Sequence, residues 1–233
     1  MHMKTAQRQQ EWLRPFQTIS TTAVTTTRKV SKMTNIFFTS DTHFGHANII
    51  NLSHRPFKDV EEMNEALIAN WNAVVGEDDT IFHLGDVAMG QWVEWDAVLT
   101  RLNGYKILVV GNHDRIFKGM SEKQNVKFQP YYEKWFDAIE HNVEGFELFD
   151  GTEVNLSHFP YEADHMEKAR HMELRLKDKG IPLIHGHTHS EHDVISRSEK
   201  GTVQVHVGVD SSNFTPVSEQ QVVDYLRVAD DIA

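Results

Sequence analysis

The chain has no cysteine, so it can form no disulfide framework and cannot ligate a metal through thiolates. Any metal it holds must sit on nitrogen and oxygen. It also has no run of about 18 apolar residues, which excludes a transmembrane helix, and its first residues lack the compact apolar stretch of a secretory signal. No internal repeat is visible. Acidic residues are nearly missing from residues 1–32, where Lys4, Arg8, Arg14, Arg28, Lys29 and Lys32 face only Glu11. That segment carries +5, so the total of −11 leaves −16 on residues 33–233. Such a balance opposes sequence-independent binding to a nucleic-acid backbone.

Residues 1–32 also lack a sustained apolar period, and five threonines follow Ser20. They read as a flexible basic N-terminal extension. Two origins fit: a Ser/Thr-rich organelle-targeting peptide, or translation from an upstream start with Met33 opening a folded domain over 33–233. The second is the expectation, because the apolar stretch Asn35–Thr39 follows Met33 at once, and a cytoplasmic location goes with it.

The 233 residues are 39% hydrophobic and 24% charged, a globular composition that suits one substantial domain. From Met33 onward short apolar runs alternate with longer amphipathic ones, which predicts an α/β fold. The predicted strands are Ile36–Thr39, Thr80–Leu84, Lys106–Val110, Val154–Leu156, Pro182–Ile184 and Val203–Val207. Val60–Val75 places Met63, Leu67, Ile68, Trp71 and Val74 on one face at helical spacing. Trp92–Leu102, Tyr161–Lys179 and Ser218–Val228 are further predicted helices, and Glu144–Leu156 a hairpin around Asp150-Gly151. Asn48–Asp59 and Phe117–Glu133 read as loops that shape specificity.

Fifteen histidines are the compositional anomaly, because neutral imidazole is the commonest metal ligand. Five polar clusters fall just past the carboxyl ends of predicted strands: Asp41-Thr42-His43, Gly85-Asp86, Gly111-Asn112-His113-Asp114, Ser157-His158 and Gly186-His187-Thr188-His189. Open α/β sheets place their ligand sites there. A hydrolytic two-metal centre needs an anion bridging cations about 3.5–4 Å apart, with further ligands that leave coordination positions open. Two carboxylates, four imidazoles and one amide oxygen from these clusters meet that need. Mixed histidine and carboxylate ligation suits two manganese ions, with iron, zinc and nickel as alternatives.

In this order the five clusters resemble the calcineurin-like metallophosphoesterase superfamily. The resemblance implies a two-sheet β-sandwich flanked by helices, a four-layer αββα arrangement. It further implies that Asp41, His43, Asp86 and His189 bind one metal, that Asp86, Asn112, His158 and His187 bind the other, and that Asp86 is the bridge. His113 then matches the histidine that protonates the leaving oxygen, and Asp114 the residue that orients it. Asp41–Ile50 resembles a small bacterial and phage subgroup of predicted phosphoesterases. Val87-Ala88-Met89-Gly90 after Asp86 lacks the Asp-Arg-Gly of protein serine/threonine phosphatases, which points away from that activity.

Other histidines have plainer expectations. His83, His185 and His206 read as core or supporting residues within or beside strands. His46, in the same loop as His43, and Arg55 are candidate substrate contacts. The expected function is hydrolysis of a small nucleotide-like phosphodiester or phosphomonoester by a hydroxide activated between two metals. A catalytically silent metal-binding scaffold and a nuclease of the same superfamily are the alternatives. The expected partner is a small phosphorylated substrate, with no duplex nucleic acid, membrane or obligate protein partner.

Overall fold

The structure, a computed structural model, describes residues 34–162, 164 and 169–231. The expectations for residues 1–32 lie outside them. The chain begins with β1 (Ile36–Thr39), then α1 (Ala47–Leu52), α2 (Val60–Val74), β2 (Thr80–His83), α3 (Trp92–Leu99), β3 (Tyr105–Val109), α4 (Glu122–Trp135) and β4 (Ala138–Glu140). It continues with β5 (Val143–Glu147), β6 (Glu153–Leu156), β7 (Leu183–His185), β8 (Ile195–Arg197), β9 (Val203–His206), β10 (Val217–Ser218) and α5 (Glu219–Asp231).

Two five-stranded mixed sheets result, ordered β10-β1-β2-β3-β4 and β5-β6-β7-β9-β8. In the first, β1 to β4 run parallel and β10 is antiparallel to β1. In the second, β6, β7 and β9 run parallel, while β5 and β8 are antiparallel edges. Residues alternate sides along each strand. Phe38, Leu84 and Val109 from one sheet therefore meet Leu156, Ile184 and Val205 from the other in a fully buried core between the sheets. Phe38 stacks on Phe82 at 5.6 Å and meets the edge of Phe146 at 6.3 Å across that core.

The opposite face of the first sheet, with Phe37, Ile81 and Leu108, is covered by helices. In α2 the buried residues Met63, Leu67, Ile68 and Trp71 form one stripe, and the Asp59 carboxylate accepts the Glu62 N–H at 2.8 Å to cap its start. In α4 the buried stripe is Phe128, Tyr132 and Trp135, capped by Ser121. Helix α5 sets Val222, Val223 and Leu226 into the core between the sheets and packs along β9, β10 and β1.

The outer face of the second sheet is where structure and expectation part. A helix was predicted over Tyr161–Lys179; among the described residues of that stretch there is only a single 3-10 turn, Met172–Leu174. The face beneath is polar, and polar side chains need specific partners that a greasy helix cannot offer. Asn155 donates to the Tyr161 hydroxyl at 3.1 Å, Gln204 accepts the Tyr161 N–H at 2.8 Å, and the Tyr161 hydroxyl donates to the Ile181 carbonyl at 2.7 Å. Irregular chain satisfies these groups. Likewise the stretches expected to be loops contain α1 and most of α4. None of the described helices is long and apolar enough to cross a membrane.

Candidate metal centre

Parallel strands end on the same side, so β1, β2, β3, β6, β7 and β9 deliver their carboxyl ends to one edge of the sandwich. The two sheets are stitched there. Ser40 and Gly208 form a parallel bridge and the Val209 N–H donates to the Ser40 carbonyl at 3.1 Å, while within the first sheet the Asp41 N–H donates to the Gly85 carbonyl at 3.0 Å. The close approach leaves no room for side chains at two glycines. A Cβ on Gly111 would overlap the Asp86 carboxylate and backbone, and one on Gly186 would overlap the Ser40 hydroxyl and Asp41 carboxylate.

All seven sequence-predicted ligands converge at this edge, and all are buried except His189, which is half-buried. Asp41, His43 and His189 bring one ligand atom each within 4.8 Å of one another, as do Asp41, Asp86 and His158. His43 Nε2 lies 3.3 Å from His189 Nε2. On the other side His158 Nε2 lies 3.1 Å from Asn112 Oδ1 and 3.2 Å from His187 Nδ1. Asp86 Oδ2 stands between the two groups, 3.7 Å from His43 Nε2 and 3.5 Å from His158 Nε2. Its other oxygen accepts the His113 N–H at 2.7 Å, which aims Oδ2 inward. Asp41 is arranged the same way. Its Oδ2 accepts the His187 N–H at 2.9 Å, and its Oδ1, buried and without a hydrogen-bond partner, faces His189 Nε2 at 3.8 Å. A buried orphan carboxylate oxygen amid imidazole nitrogens is the donor set a divalent cation fits.

The backbone records the same demand. Asp41, His43, Asp86, His187 and His189 all adopt positive φ, between 48° and 72°. Non-glycine residues enter this region at a cost, and such strain gathers at functional sites.

The electrostatics suit a site for cations. Burial, with Asp41 and Asp114 close by, pushes the Asp86 carboxyl well above its usual range. Burial also works against the Asp41 carboxylate, but His189, His158 and His43 around it hold it below the carboxylate range. Burial keeps His43 and His187 well below the usual imidazole range and brings His158 to about 4, so all three present a neutral ring.

The rings of His189, His187 and His158 are also turned by the second nitrogen. His189 Nδ1 donates to Asp210 Oδ2 at 2.8 Å, His187 Nε2 lies 3.1 Å from Asp164 Oδ1, and His158 Nδ1 donates to the Leu84 carbonyl at 2.7 Å. The remaining lone pair of each then points into the centre. Asp210 is held by Arg55, through Nε at 2.8 Å and Nη2 at 3.1 Å, and Asp164 by Arg175 at 2.9 Å. Neither aspartate was foreseen. Asp210 was findable, since it too follows a strand end, after β9; Asp164 stands in irregular chain with no such mark.

Two roles expected from the sequence are corrected. Arg55 is not placed for substrate: its side chain is buried, with every donor engaged by Asp210, the Asp41 and Thr42 carbonyls, or the Met63 sulfur. It pins the Asp41 loop instead. Asp114 does not turn His113. Its carboxylate accepts the N–H groups of Asp86, Val87 and Gly111 at 3.0, 3.1 and 2.7 Å and the Tyr132 hydroxyl at 3.4 Å, locking the Asp86 loop to the Asn112 loop.

His113 itself lies at the mouth, 42% exposed, with Nε2 4.0 Å from Asp86 Oδ2. His46 is beside it, its ring 5.4 Å from that of His43 and its Nδ1 buried without a partner. His83 is buried between the Thr42 hydroxyl at 2.9 Å and the Gly85 N–H at 3.2 Å, the supporting role expected of it. His185 and His206 are buried side by side, with ring centroids 5.5 Å apart.

Two mixed five-stranded sheets with buried histidine and aspartate groups at one edge match the architecture of metallophosphoesterases. The sequence pattern of the calcineurin-like phosphoesterase superfamily domain matches residues 34–221, and the chain belongs to that superfamily. Gene 66 protein of Mycobacterium phage L5 is 37% identical over 215 residues, spanning 84% of this chain and 95% of its own. The uncharacterized protein MJ1445 of Methanocaldococcus jannaschii is 33% identical over 198 residues, spanning 84% of this chain and 93% of its own. Among solved structures, the protein of unknown function AQ665 from Aquifex aeolicus matches with a TM-score of 0.59 and 25% identity, covering 82% of this chain and 99% of that one.

Proposed function

We propose that the protein is a metal-dependent phosphoesterase acting on a small, nucleotide-like phosphodiester or phosphomonoester, with two manganese ions as its working cofactors. The observation that carries this reading is the position of Asp86 Oδ2, within 3.7 Å of a nitrogen from each of the two ligand groups. A carboxylate so placed serves both sides at once. Asp41, His43 and His189 would hold one cation, Asn112, His158 and His187 the other. Cations bound there supply the Lewis acidity that activates water and polarises the ester.

The remaining chemistry belongs to side chains. His113, half exposed beside the bridging carboxylate, stands where a protonated imidazole can give its proton to the departing oxygen. His46 would contact the ester. Asp114 and Arg55 keep the two acidic loops from relaxing away from each other, which matters because small misplacements of catalytic groups are expensive. The −16 balance on residues 33–233 favours a small ester over a polyanion.

Bis(p-nitrophenyl) phosphate turnover with added manganese tests the activity, and phosphate release from a metabolite collection tests the substrate class. Metal binding without turnover of any ester would leave the protein as a scaffold. Efficient cutting of DNA with no turnover of small esters would make it a nuclease.

A further inference from the structure

Beside the metal edge lies a cavity of about 200 Å³ formed by Met89, Gly90, His113, Arg115, Met120 and Gln124. Its walls come from the loop after Asp86, the loop after Asn112 and the first turn of α4. His113 is the shared wall between the cavity and the metal centre. We propose that this cavity is the leaving-group subsite, and that it takes a planar, uncharged, hydrogen-bonding ring of the nucleobase kind. The inference rests on the phosphoesterase reading and names the substrate class within it.

Direction supports the assignment. In an in-line displacement the leaving oxygen departs opposite the attacking one, and the acid that protonates it must lie on the departing side. With His113 as that acid, the group attached to the leaving oxygen is directed into the space His113 borders. The space suits a flat ring. The thioethers of Met89 and Met120 are polarisable and pack well against aromatic faces. The Arg115 guanidinium carbon lies 4.8 Å from the Phe128 ring centroid and 5.5 Å from that of Trp95, with Nη2 donating to the Gly90 carbonyl at 3.1 Å. These contacts place it as a wall of the cavity.

One polar group reads an edge. The Gln124 amide makes a single long bond among the described residues, from Nε2 to the Arg115 carbonyl at 3.4 Å. A second amide hydrogen and the amide oxygen of the same group are left for a ligand, the paired donor and acceptor that a base edge requires. Size sets the upper bound. At about 200 Å³ the cavity is smaller than ordinary drug-sized pockets of about 300–1,000 Å³. Its volume matches one ring system.

The free nucleoside is the product such a subsite would release, so it should bind alone. Adenosine and uridine, with ribose as the control, are titrated calorimetrically into the full chain, without metal and with manganese. They are then tested as inhibitors of bis(p-nitrophenyl) phosphate turnover. The expected result is that a nucleoside binds and inhibits at concentrations where ribose does neither. Gln124→Ala should weaken the nucleoside about tenfold, the worth of one or two hydrogen bonds to a bound edge. Met120→Trp, which fills the cavity, should abolish its binding. Gln124 is half-buried in the first turn of α4 and outside the core, so its variant keeps the fold and tests the proposal even if Met120→Trp unfolds the protein; melting checks both. Equal binding of ribose and nucleoside, or nucleoside binding unchanged in Gln124→Ala, overturns the subsite. Absence of ester turnover alongside intact nucleoside binding overturns the phosphoesterase reading and, with it, the leaving-group role, leaving the cavity a nucleoside-binding site only.

Discussion

Asp210→Asn probes the support behind the metal ligands rather than the ligands themselves. Asp210 is 9% exposed and meets two donors, the Arg55 fork at 2.8 and 3.1 Å and His189 Nδ1 at 2.8 Å. An asparagine of the same size has one acceptor oxygen where there were two, and an amide NH₂ that must face an N–H donor. The Arg55 side chain, fully buried, would lose its counter-charge. Removing one partner of a buried ion pair costs about 3–5 kcal/mol, because the other charge stays buried. In a domain of this size each kcal/mol moves the melting temperature by about 2–4 °C, so a fall of roughly 6–20 °C is expected in the metal-free protein. A second effect is independent of the first. With His189 no longer held in one tautomer and orientation, metal affinity should drop by about 10–100-fold. Calorimetric manganese titration and thermal melting read the two effects separately. Arg227→Ala, which removes the exposed pair with Asp150 at 3.2 Å, is the control and should change stability by less than about 1 kcal/mol. The reasoning fails if Asp210→Asn melts with the wild type and binds manganese equally well.

Asp86→Asn should abolish turnover and lower the metal content of both sites, since Oδ2 is the atom placed between them; metal analysis of the purified variant checks it. His113→Ala should retain its metals yet lose rate by about 10²–10⁴, and the loss should shrink for acidic leaving groups that need no proton. Gly111→Ala should fold poorly or lose metal, because the added methyl overlaps Asp86, and melting with and without manganese reads this. Chelation should lower the melting temperature of the wild-type protein, because a cation that binds only the native state stabilises it by mass action; no change on chelation would mean no native metal.

The strands and the ligand clusters were legible for a common reason. A buried parallel strand needs a short apolar run, and each run that ends in Gly, Asp, His or Asn announces both an element and a site, as at Leu84-Gly85-Asp86 or Ile184-His185-Gly186-His187. Helix α2 was legible from the spacing of Met63, Leu67, Ile68 and Trp71. Helix α4 was not, although Ser121 and Gln124 stand at the positions of a capping pair. Its polar surface and Pro130 hide a stripe of only three buried residues, and a proline within a helical stretch reads as a break. The error over Tyr161–Lys179 ran the other way. Long polar side chains spaced by chance resemble a helix, whereas the sheet face beneath, with Asn155 and Gln204, demands individual hydrogen bonds that the chain around Tyr161 meets. Arg55 was misjudged because exposure cannot be read from one residue type; its counter-ion lies 155 positions away along the chain.

The positive φ angles at Asp41, His43, Asp86, His187 and His189 also bear on how this fold can change over generations. Glycine is at ease in that conformation, and asparagine tolerates it better than histidine does. A descendant released from the need to hold cations therefore has a downhill route. Drift to glycine or asparagine at these positions relaxes the backbone while the apolar interior stays as it is, so the folded shell outlives the chemistry. On the proposed metal-binding role, retention of histidine at 43, 187 and 189 marks sequences still held to that demand.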